Sequence, residues 1–244
     1  MHRLMVPTET LVSSLPELPK AAAQHLKVLR PESGEELELF DGRGAARRFR
    51  WDGARLEAAA PAVRMPAPVR SLVLFACVTK GSRWDWTVEK ATEIGATRIV
   101  PVISERTIVR LAPAERAAKR ERWERIAEDA VRQCDGYWLP EIAAAVDFRE
   151  ALELVKATDC YVGALTDPPS EPLAAAIRVR RDAGKPLAVF IGPEGDFTPA
   201  ELAALVEVAT PASLGERILR AETAALYALS VVAGMLSADG RERK

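Results

Sequence analysis

The sequence is poor in the residues that build metal centres and disulfide frameworks. Its 244 residues include three cysteines and two histidines. Cys77, Cys134 and Cys160 lie far apart with no C-x-x-C pair, a spacing that favours neither a disulfide framework nor a metal ladder. Because His2 and His25 both lie near the N-terminus, zinc chemistry and Ser-His-Asp hydrolysis lack their imidazoles. We therefore expect reduced cysteines and no metal.

Long apolar runs and a strong charge excess are also missing. No apolar stretch approaches the roughly 20 residues that a membrane helix needs, and residues 1–7 carry no export signal. The sequence thus predicts a cytoplasmic protein with no membrane partner. With 48% hydrophobic and 28% charged residues, the chain has material for one large domain or for a large and a small one. The net charge of -1 does not show how charges are distributed along the chain. Local basic patches are therefore the evidence for or against binding to a nucleic acid.

Turn chemistry predicts a small β domain over residues 1–66. Asp-Gly pairs at 41–42 and 52–53 separate strand-like runs, which is a strong hairpin signal. The runs are 36–40, 46–51 and 55–59. Three prolines within 61–68 disfavour helix and pair poorly in a sheet. They predict a linker to a second domain over residues 67–244.

The second domain alternates short apolar runs with helical patterns. The predicted strands are 72–78, 99–103, 161–165 and 187–191. The predicted helices are 86–94, 113–134, those that open near Asp147 and Thr198, and 222–236. This alternation predicts an α/β domain with a largely parallel sheet. The last helix is almost wholly apolar, so either the domain or a second subunit has to cover it.

Open α/β sheets bind ligands beyond the carboxyl ends of their strands, so the loops there are candidate sites. The turn 191–197 has two glycines around Pro193 and suits close approach of a ligand, although an ordinary strand-to-helix turn remains equally open. In the loop 213–224, Arg220 is a cation at a helix start, where the dipole disfavours it, so an anionic substrate is a plausible partner. A third loop, 164–169, is a weak signal. The P-loop and Rossmann glycine patterns are absent.

Three segments carry a family resemblance. They are GPEGDFTPAEL at 192–202, SLGERILRAETAALYAL at 213–229 and KGSRWDWTVEKATEIGATRIVPVISER at 80–106. Together with MHRLMV at 1–6 and HLKVLR at 25–30, they resemble the RsmE family of the SPOUT superfamily. The resemblance implies a SPOUT-type knotted α/β methyltransferase domain, with a C-terminal trefoil knot, preceded by a small PUA-like β-barrel domain. It further implies a homodimer that uses S-adenosyl-L-methionine to methylate N3 of one uridine in small-subunit (16S) ribosomal RNA.

Matched position by position, the resemblance implies a cofactor site in the three loops. Its expected residues are Leu165, Thr166, Ile191, Gly192, Pro193, Glu194, Gly195, Leu214, Gly215, Ile218, Leu219, Arg220 and Thr223. Deprotonating N3 of uracil puts negative charge on its carbonyl oxygens, which a cation would stabilise. Arg220 is the catalytic candidate for that task, with Glu222 or Glu194 as the base. Both carboxylates have a structural alternative. For Glu222 it is a helix cap, and for Glu194 it is an ion pair with a basic side chain.

Basic residues of the β domain predict contacts to the RNA backbone. The candidates are Arg3, His25, Arg30, Arg47, Arg48 and Arg50, with Lys80 from the second domain. A solvated charged hairpin is the alternative explanation. Two positions depart from the family pattern: Asp196 stands where a second glycine is usual, and Gly136 stands where a basic side chain is usual.

Two further function classes stay open at this stage. A non-catalytic RNA-binding or ribosome-assembly factor with the same fold would bind RNA without the methyl donor. A small-molecule enzyme that uses a nucleotide is disfavoured by the missing phosphate motifs.

Overall fold

The computed structural model describes residues 1–164, 166, 168–180 and 184–241 and divides the chain into two compact units. The N-terminal unit comprises Met1–Ala67 and Glu128–Leu139. The α/β unit comprises Pro68–Ala127 and Pro140–Lys244. The assignment of all residues after 66 to the second domain was therefore wrong for Glu128–Leu139, which belongs to the first.

The N-terminal unit is built on a five-stranded sheet. Its elements are β1 (His2–Met5), a 3-10 helix (Thr8–Leu11), α1 (Lys20–Leu29), β2 (Glu36–Phe40), β3 (Ala45–Trp51), β4 (Leu56–Ala58) and β5 (Val63–Arg64). The strand order is β1-β2-β3-β4, and β5 also pairs with β3. The first Asp-Gly turn closes the β2–β3 hairpin, since Asp41 accepts hydrogen bonds from the backbone N–H groups of Arg43 and Ala45. Strand β5 lies inside the segment predicted to be a linker, which corrects that prediction.

The two faces of this sheet differ in chemistry. Alternate residues of a strand point to opposite faces, so Leu37, Leu39 and Phe49 enter one apolar core. The opposite face carries the charged positions, where the register places Glu38 beside both Arg3 and Arg48. Segment Glu128–Leu139 covers part of that face. Its Val131, Tyr137 and Leu139 pack with Phe40, Ala46 and Met5.

The α/β unit alternates strands and helices along the chain. Its elements are β6 (Leu72–Cys77), α2 (Ser82–Ile94), β7 (Arg98–Ile103), α3 (Pro113–Gln133), β8 (Glu141–Ile142), β9 (Val146–Asp147), α4 (Phe148–Val155), β10 (Asp159–Gly163), α5 (Leu173–Arg180), β11 (Leu187–Ile191), α6 (Pro199–Val206), β12 (Thr210–Ala212) and α7 (Ala221–Arg241). The sheet order is β12-β10-β11-β6-β7-β8, with β9 also on β7. Every recorded pairing in this sheet is parallel, which confirms the α/β prediction. The implied knot stays a prediction.

Local chemistry explains several of these elements. Strands β6 and β11 are buried at every residue, as expected for a sheet covered on both faces. Helix α6 begins with a complete capping box between Thr198 and Glu201, the arrangement that the sequence pattern predicts. Helix α7 packs against α2, α5, β6 and β11, while its Tyr227 stays 46% exposed. In the described part of the chain, no helix is long and apolar enough to cross a membrane.

Candidate functional site

A cleft opens beyond one edge of the parallel sheet. Strands β12, β10 and β11 are neighbours and run parallel, so their carboxyl ends meet at the same place. There the turn after β11 and the loop between β12 and α7 enclose about 320 Å³ that water-sized molecules can enter. Its wall includes Gly163, Ala164, Ile191, Gly192, Pro193, Glu194, Asp196, Leu214, Gly215, Arg217, Ile218, Leu219, Arg220 and Ala221. All three predicted loops thus contribute to one cleft, the third of them through Ala164.

Glycines shape the backbone of this cleft wall and let it pack closely against neighbouring side chains. A Cβ added at Gly163 would lie 2.8 Å from Leu214 Cδ1, and one added at Gly192 would lie 3.0 Å from the Phe197 ring. Either contact would force neighbouring atoms to move. Gly215 has a φ of +114°, a conformation that side chains rarely adopt. The backbone there forms a wall that only glycine permits.

Asp196 shows how the turn accommodates its departure from the family pattern. Its φ is 59°, in the left-handed region that favours glycine but that Asp and Asn also visit. Its carboxylate accepts a hydrogen bond from the Phe197 backbone N–H at 2.7 Å. The aspartate therefore stabilises the turn locally while it lines the cleft.

Arg220 lies where the loop enters helix α7. It is exposed, it lines the cleft, and its backbone carbonyl accepts a hydrogen bond from the Ala224 N–H at 2.8 Å. Among the described residues no hydrogen bond or ion pair of its side chain is recorded. The first amides of α7 and this guanidinium both direct positive potential into the cleft, which suits an anionic group.

Glu194 is held by a basic side chain on a different element. Its Oε1 lies 3.3 Å from Nη2 of Arg83, in the first turn of α2, and it lines the cleft. Glu194 therefore forms an ion pair with a basic side chain, as the structural alternative predicted. The carboxylate nevertheless keeps a place in the wall.

Glu222 faces away from the cleft. It is 8% exposed and lines a closed gap, too narrow for a water molecule, with Cys77, Thr79 and Trp84. One carboxylate oxygen, the Thr79 hydroxyl and the Trp84 indole nitrogen are buried there without a hydrogen-bond partner. The interpretation of Glu222 as the base is thereby corrected, because its carboxylate does not reach the cleft.

Other expected cofactor residues also fall outside the cleft wall. Thr166 shares a hydrogen bond of 2.7 Å with the Ser170 hydroxyl. Gly195 presents its carbonyl to Arg106, and Thr223 points to solvent. None of these three lines the cleft, so their contact with the cofactor stays a prediction, and Leu165 lies outside the described residues.

The RNA-binding assignment of Arg3 is wrong, because its side chain is part of the core of the N-terminal unit. The residue is 7% exposed and donates to Glu38 at 2.9 Å. It also donates to the carbonyls of Val131 and Gly136, and its guanidinium lies over the Phe40 ring. A guanidinium with these partners is unavailable to a phosphate.

Arg47 and His25 are also poorly suited to contact RNA as cations. The Arg47 guanidinium lies over the Phe49 ring and donates to four backbone carbonyls. Desolvation lowers the pKa of His25, with a further contribution from Arg132, so the imidazole is neutral at pH 7. Neither side chain is a free positive charge.

The remaining basic candidates are exposed. Arg48 and Arg50 share the carboxylate of Glu36, at 3.9 Å and 3.1 Å. Arg30 and Lys80 are also on the surface. In the part of the chain that the structure describes, no group of three or more His, Cys, Asp or Glu side chains is arranged to hold a metal ion.

Sequence reasoning missed Arg83 and Arg217 at this site. Arg217 lines the cleft and lies in the loop whose charge attracted attention to Arg220. Arg83 lies in the KGSRWDW segment at 80–86, which carried the resemblance and in which only Lys80 had an assigned role. The available signal was an arginine beside a tryptophan, Arg83-Trp84, within a segment of the family resemblance.

Comparisons with known proteins agree with this fold and site. The fold and cleft define an α/β domain with a candidate ligand site at its strand ends. The family model described as "RNA methyltransferase domain" matches residues 65–233. The ribosomal RNA small subunit methyltransferase E of Synechocystis sp. is 30% identical, over 96% of this chain and 78% of that protein. This chain belongs to the ribosomal RNA small subunit methyltransferase E family.

Solved structures of similar proteins contain the expected methyl donor. Ribosomal RNA small subunit methyltransferase E from Neisseria gonorrhoeae, bound to S-adenosyl methionine, is 29% identical with a TM-score of 0.80, covering 96% of this chain and 98% of that one. A methyltransferase from Legionella pneumophila with bound SAM is also 29% identical, with a TM-score of 0.79 over 96% and 97% of the two chains.

Proposed function

We propose that this protein transfers the methyl group of S-adenosylmethionine to N3 of a uridine in small-subunit ribosomal RNA. The observation that carries the proposal is the glycine-walled cleft with Arg220 at its edge. Membership of the family supports the RNA substrate, and the donor bound to similar proteins supports the cofactor.

The cleft fits a nucleoside donor. Gly163 and Gly192 let the cleft wall pack closely against Leu214 and Phe197, because a Cβ at either position would crowd those side chains. Ile191, Leu214 and Leu219 provide apolar surface for a flat ring. When bound, S-adenosylmethionine supplies an electrophilic methyl group on a positively charged sulfur. Residues of this wall hold the donor and exclude water, because alignment provides much of the rate in a displacement reaction.

The acceptor requires a cation and a base. N3 of uracil carries a proton, and its removal leaves negative charge on the O2 and O4 carbonyls. Arg220 stabilises that charge with a side chain that has no competing anionic partner among the described residues. Glu194 is the proposed proton acceptor, since it lines the cleft and Glu222 does not.

The target uridine has to be unpaired. N3 lies on the Watson-Crick edge, so a base-paired or stacked uridine cannot present it to the cleft. Arg48, Arg50, Arg30 and Lys80 are the exposed cations proposed to hold the surrounding RNA backbone. We further propose that the protein acts as a homodimer, in which a second subunit covers the apolar surface around Tyr227 of α7.

Replacing Arg220 tests the proposal. Arg220→Ala should lower methylation at least about 100-fold, the usual cost of losing one charge-stabilising donor, while donor affinity by calorimetry stays within a few-fold. Arg220→Lys, which keeps the charge, should retain part of the activity. The product is measured by mass spectrometry of small-subunit ribosomal RNA. If the unmodified protein binds RNA but gives no heat with the donor, it is a non-catalytic binding factor instead.

A further inference from the structure

The turn that lines the cleft is tied to a loop from a different strand. The donor turn, residues 192–197, follows β11, and the β7 loop, residues 104–110, follows β7. Strand β6 lies between β11 and β7 in the sheet. Contacts between the two loops therefore span the carboxyl edge of the sheet, beyond the strand that separates them.

Arg106 makes the most direct of these contacts. Its Nη1 donates to the carbonyl oxygen of Gly195 at 3.0 Å and to that of Phe197 at 3.3 Å. A Cβ built on Gly195 would lie 3.6 Å from the Arg106 Cβ, so the side chain runs alongside the turn. One guanidinium thus holds the carbonyls on both sides of Asp196.

Glu201 makes a second connection between the same loops. One oxygen of its carboxylate accepts the Glu105 backbone N–H at 2.8 Å, and the other accepts the Thr198 backbone N–H at 3.0 Å. Glu201 is 8% exposed. Because a buried carboxylate with charged hydrogen bonds is held firmly, it fixes the base of the donor turn to the base of the β7 loop.

The β7 loop is itself rigid enough to act as an anchor. Arg110 donates to the carbonyls of Ser104 and Glu105 at 3.1 Å and 2.7 Å. The hydroxyls of Ser104 and Thr107 share a hydrogen bond of 2.9 Å, and both residues are buried. Arg106 therefore projects from a loop whose backbone is already fixed.

The donor turn has a reason to need such an anchor. Asp196 holds a φ of 59°, which costs a non-glycine residue free energy that other contacts have to offset. Asp196 shares the wall of the cleft with Pro193 and Glu194. If the turn relaxed toward ordinary φ values, the Gly195 carbonyl would move and these wall residues would move with it.

We propose that Arg106 is a positioning residue for the methyl donor: it holds the donor turn in the binding conformation through the two carbonyls that flank Asp196. The residue does not line the cleft, so it acts through the turn and not by touching the donor. This inference rests on the proposed function, because it requires the cleft to be the donor site.

The test compares two arginines of the α/β unit that donate to backbone carbonyls. Arg106→Ala should weaken S-adenosylmethionine binding about fivefold, the effect of losing one moderately exposed hydrogen-bonding group. The donor KM should rise with it, while the RNA KM and the melting temperature change little. Arg116→Ala, which removes hydrogen bonds to the Ala145 carbonyl and Asp147 away from the cleft, should leave donor affinity within twofold.

Two further variants keep the result decisive. Arg106→Lys retains a cation that can reach a carbonyl, so its donor affinity should lie between those of the unmodified protein and Arg106→Ala, and it carries the test if the alanine variant fails to fold. With glycine at 196 the turn needs less restraint, so Arg106→Ala should cost less in an Asp196→Gly background.

The outcomes separate the two proposals. If the unmodified protein does not bind S-adenosylmethionine, the proposed function fails and this inference fails with it. If the unmodified protein binds the donor and Arg106→Ala binds it within twofold, only the positioning role is overturned. An equal loss in Arg106→Ala and Arg116→Ala, with a matching fall in melting temperature, also overturns it, because that pattern reports general destabilisation.

Discussion

The guanidinium of Arg83, in the first turn of α2, lies 3.3 Å from the carboxylate of Glu194 in the cleft wall. The two residues are 111 positions apart in the chain, and the pair joins a helix that follows β6 to the turn that follows β11. Both side chains are partly exposed, so the ion pair contributes little to folding stability. The main effect of the ion pair is to fix the orientation of the Glu194 carboxylate.

The role of Glu194 as proton acceptor can be tested through this pair. Glu194→Gln should lower kcat about 100-fold, within the range for losing a general base, with donor affinity within a few-fold. Arg83→Ala should lower kcat less, because the carboxylate remains but loses its orientation. In the Glu194→Gln background, Arg83→Ala should have almost no further effect on kcat. Additive losses in the double variant would contradict a shared role.

The exposed arginines of β3 should account for part of the RNA affinity. Replacing Arg48 and Arg50 by Gln removes two cations, which should flatten the logarithmic dependence of RNA affinity on salt by about 1.4 for single-stranded contacts. Arg47→Ala provides the control from the same strand. Its guanidinium is bound to backbone carbonyls, so that variant should lower the melting temperature and leave the salt slope unchanged. An unchanged slope after loss of Arg48 and Arg50 would instead support a merely solvated hairpin.

Local patterns in the sequence were sufficient for most of the fold. The Asp41 turn, the continuous apolar strands and the Thr198 capping box depend on neighbours a few residues away, so their signals are contained in short segments. Helix α1 was not predicted, because its local signal is absent. It begins after Pro19 with no side-chain cap hydrogen bond and so lacks the usual start signal.

Long-range contacts explain the failures. The local sequence around Arg3 predicts a surface cation, because its partners, the Val131 and Gly136 carbonyls, are more than 120 positions away in the chain. Gly136 is also packed closely, since an added Cβ would lie 3.3 Å from the Val131 Cγ1, so a larger side chain at that position would crowd its neighbours.

Helix geometry explains the misplacement of Glu222. Successive residues of an α-helix are rotated by about 100°, so residues two apart face nearly opposite directions. Arg220 immediately precedes α7 and reaches the cleft, as Ala224 of the helix does, whereas Glu222 reaches the closed gap beside Trp84. Proximity in sequence suggested a shared site, but helical periodicity separates the two side chains.

The buried Arg3–Glu38 pair should be essential for the N-terminal unit. Their side chains are 4% and 10% exposed, and Tyr137 donates a further hydrogen bond to Glu38. Glu38→Gln removes the buried counter-charge and leaves the guanidinium only the exposed Asp135 carboxylate at 3.8 Å, which should cost about 3 kcal/mol of unfolding free energy. Arg50→Gln, which breaks an exposed pair with Glu36, should cost at most about 1 kcal/mol. Urea unfolding of both variants checks the difference, and equal effects would contradict it.

The three cysteines should differ sharply in reactivity. Burial raises the pKa of Cys77 to about 12 and also raises the pKa of Cys160, so both thiols stay protonated at pH 7 to 9, and only the thiolate reacts. Cys134 is exposed. A thiol reagent should therefore modify one cysteine in the native protein and all three after denaturation, and Cys134→Ser should abolish the native reaction.

The slow modification of Cys77 offers a probe of the cleft. Cys77 lines the closed gap whose wall includes Ile191 and Ala221, two residues that also line the cleft. Reaction at Cys77 requires that wall to open, and a ligand that binds only the closed state suppresses opening in proportion to its saturation. S-adenosylmethionine should therefore slow Cys77 modification, followed by mass spectrometry, while the Cys134 rate stays constant. Equal slowing at Cys77 and Cys134 would show that the donor acts on the reagent, and equal slowing at Cys77 and Cys160, the other buried cysteine, would show that it suppresses global unfolding and not the opening of this wall.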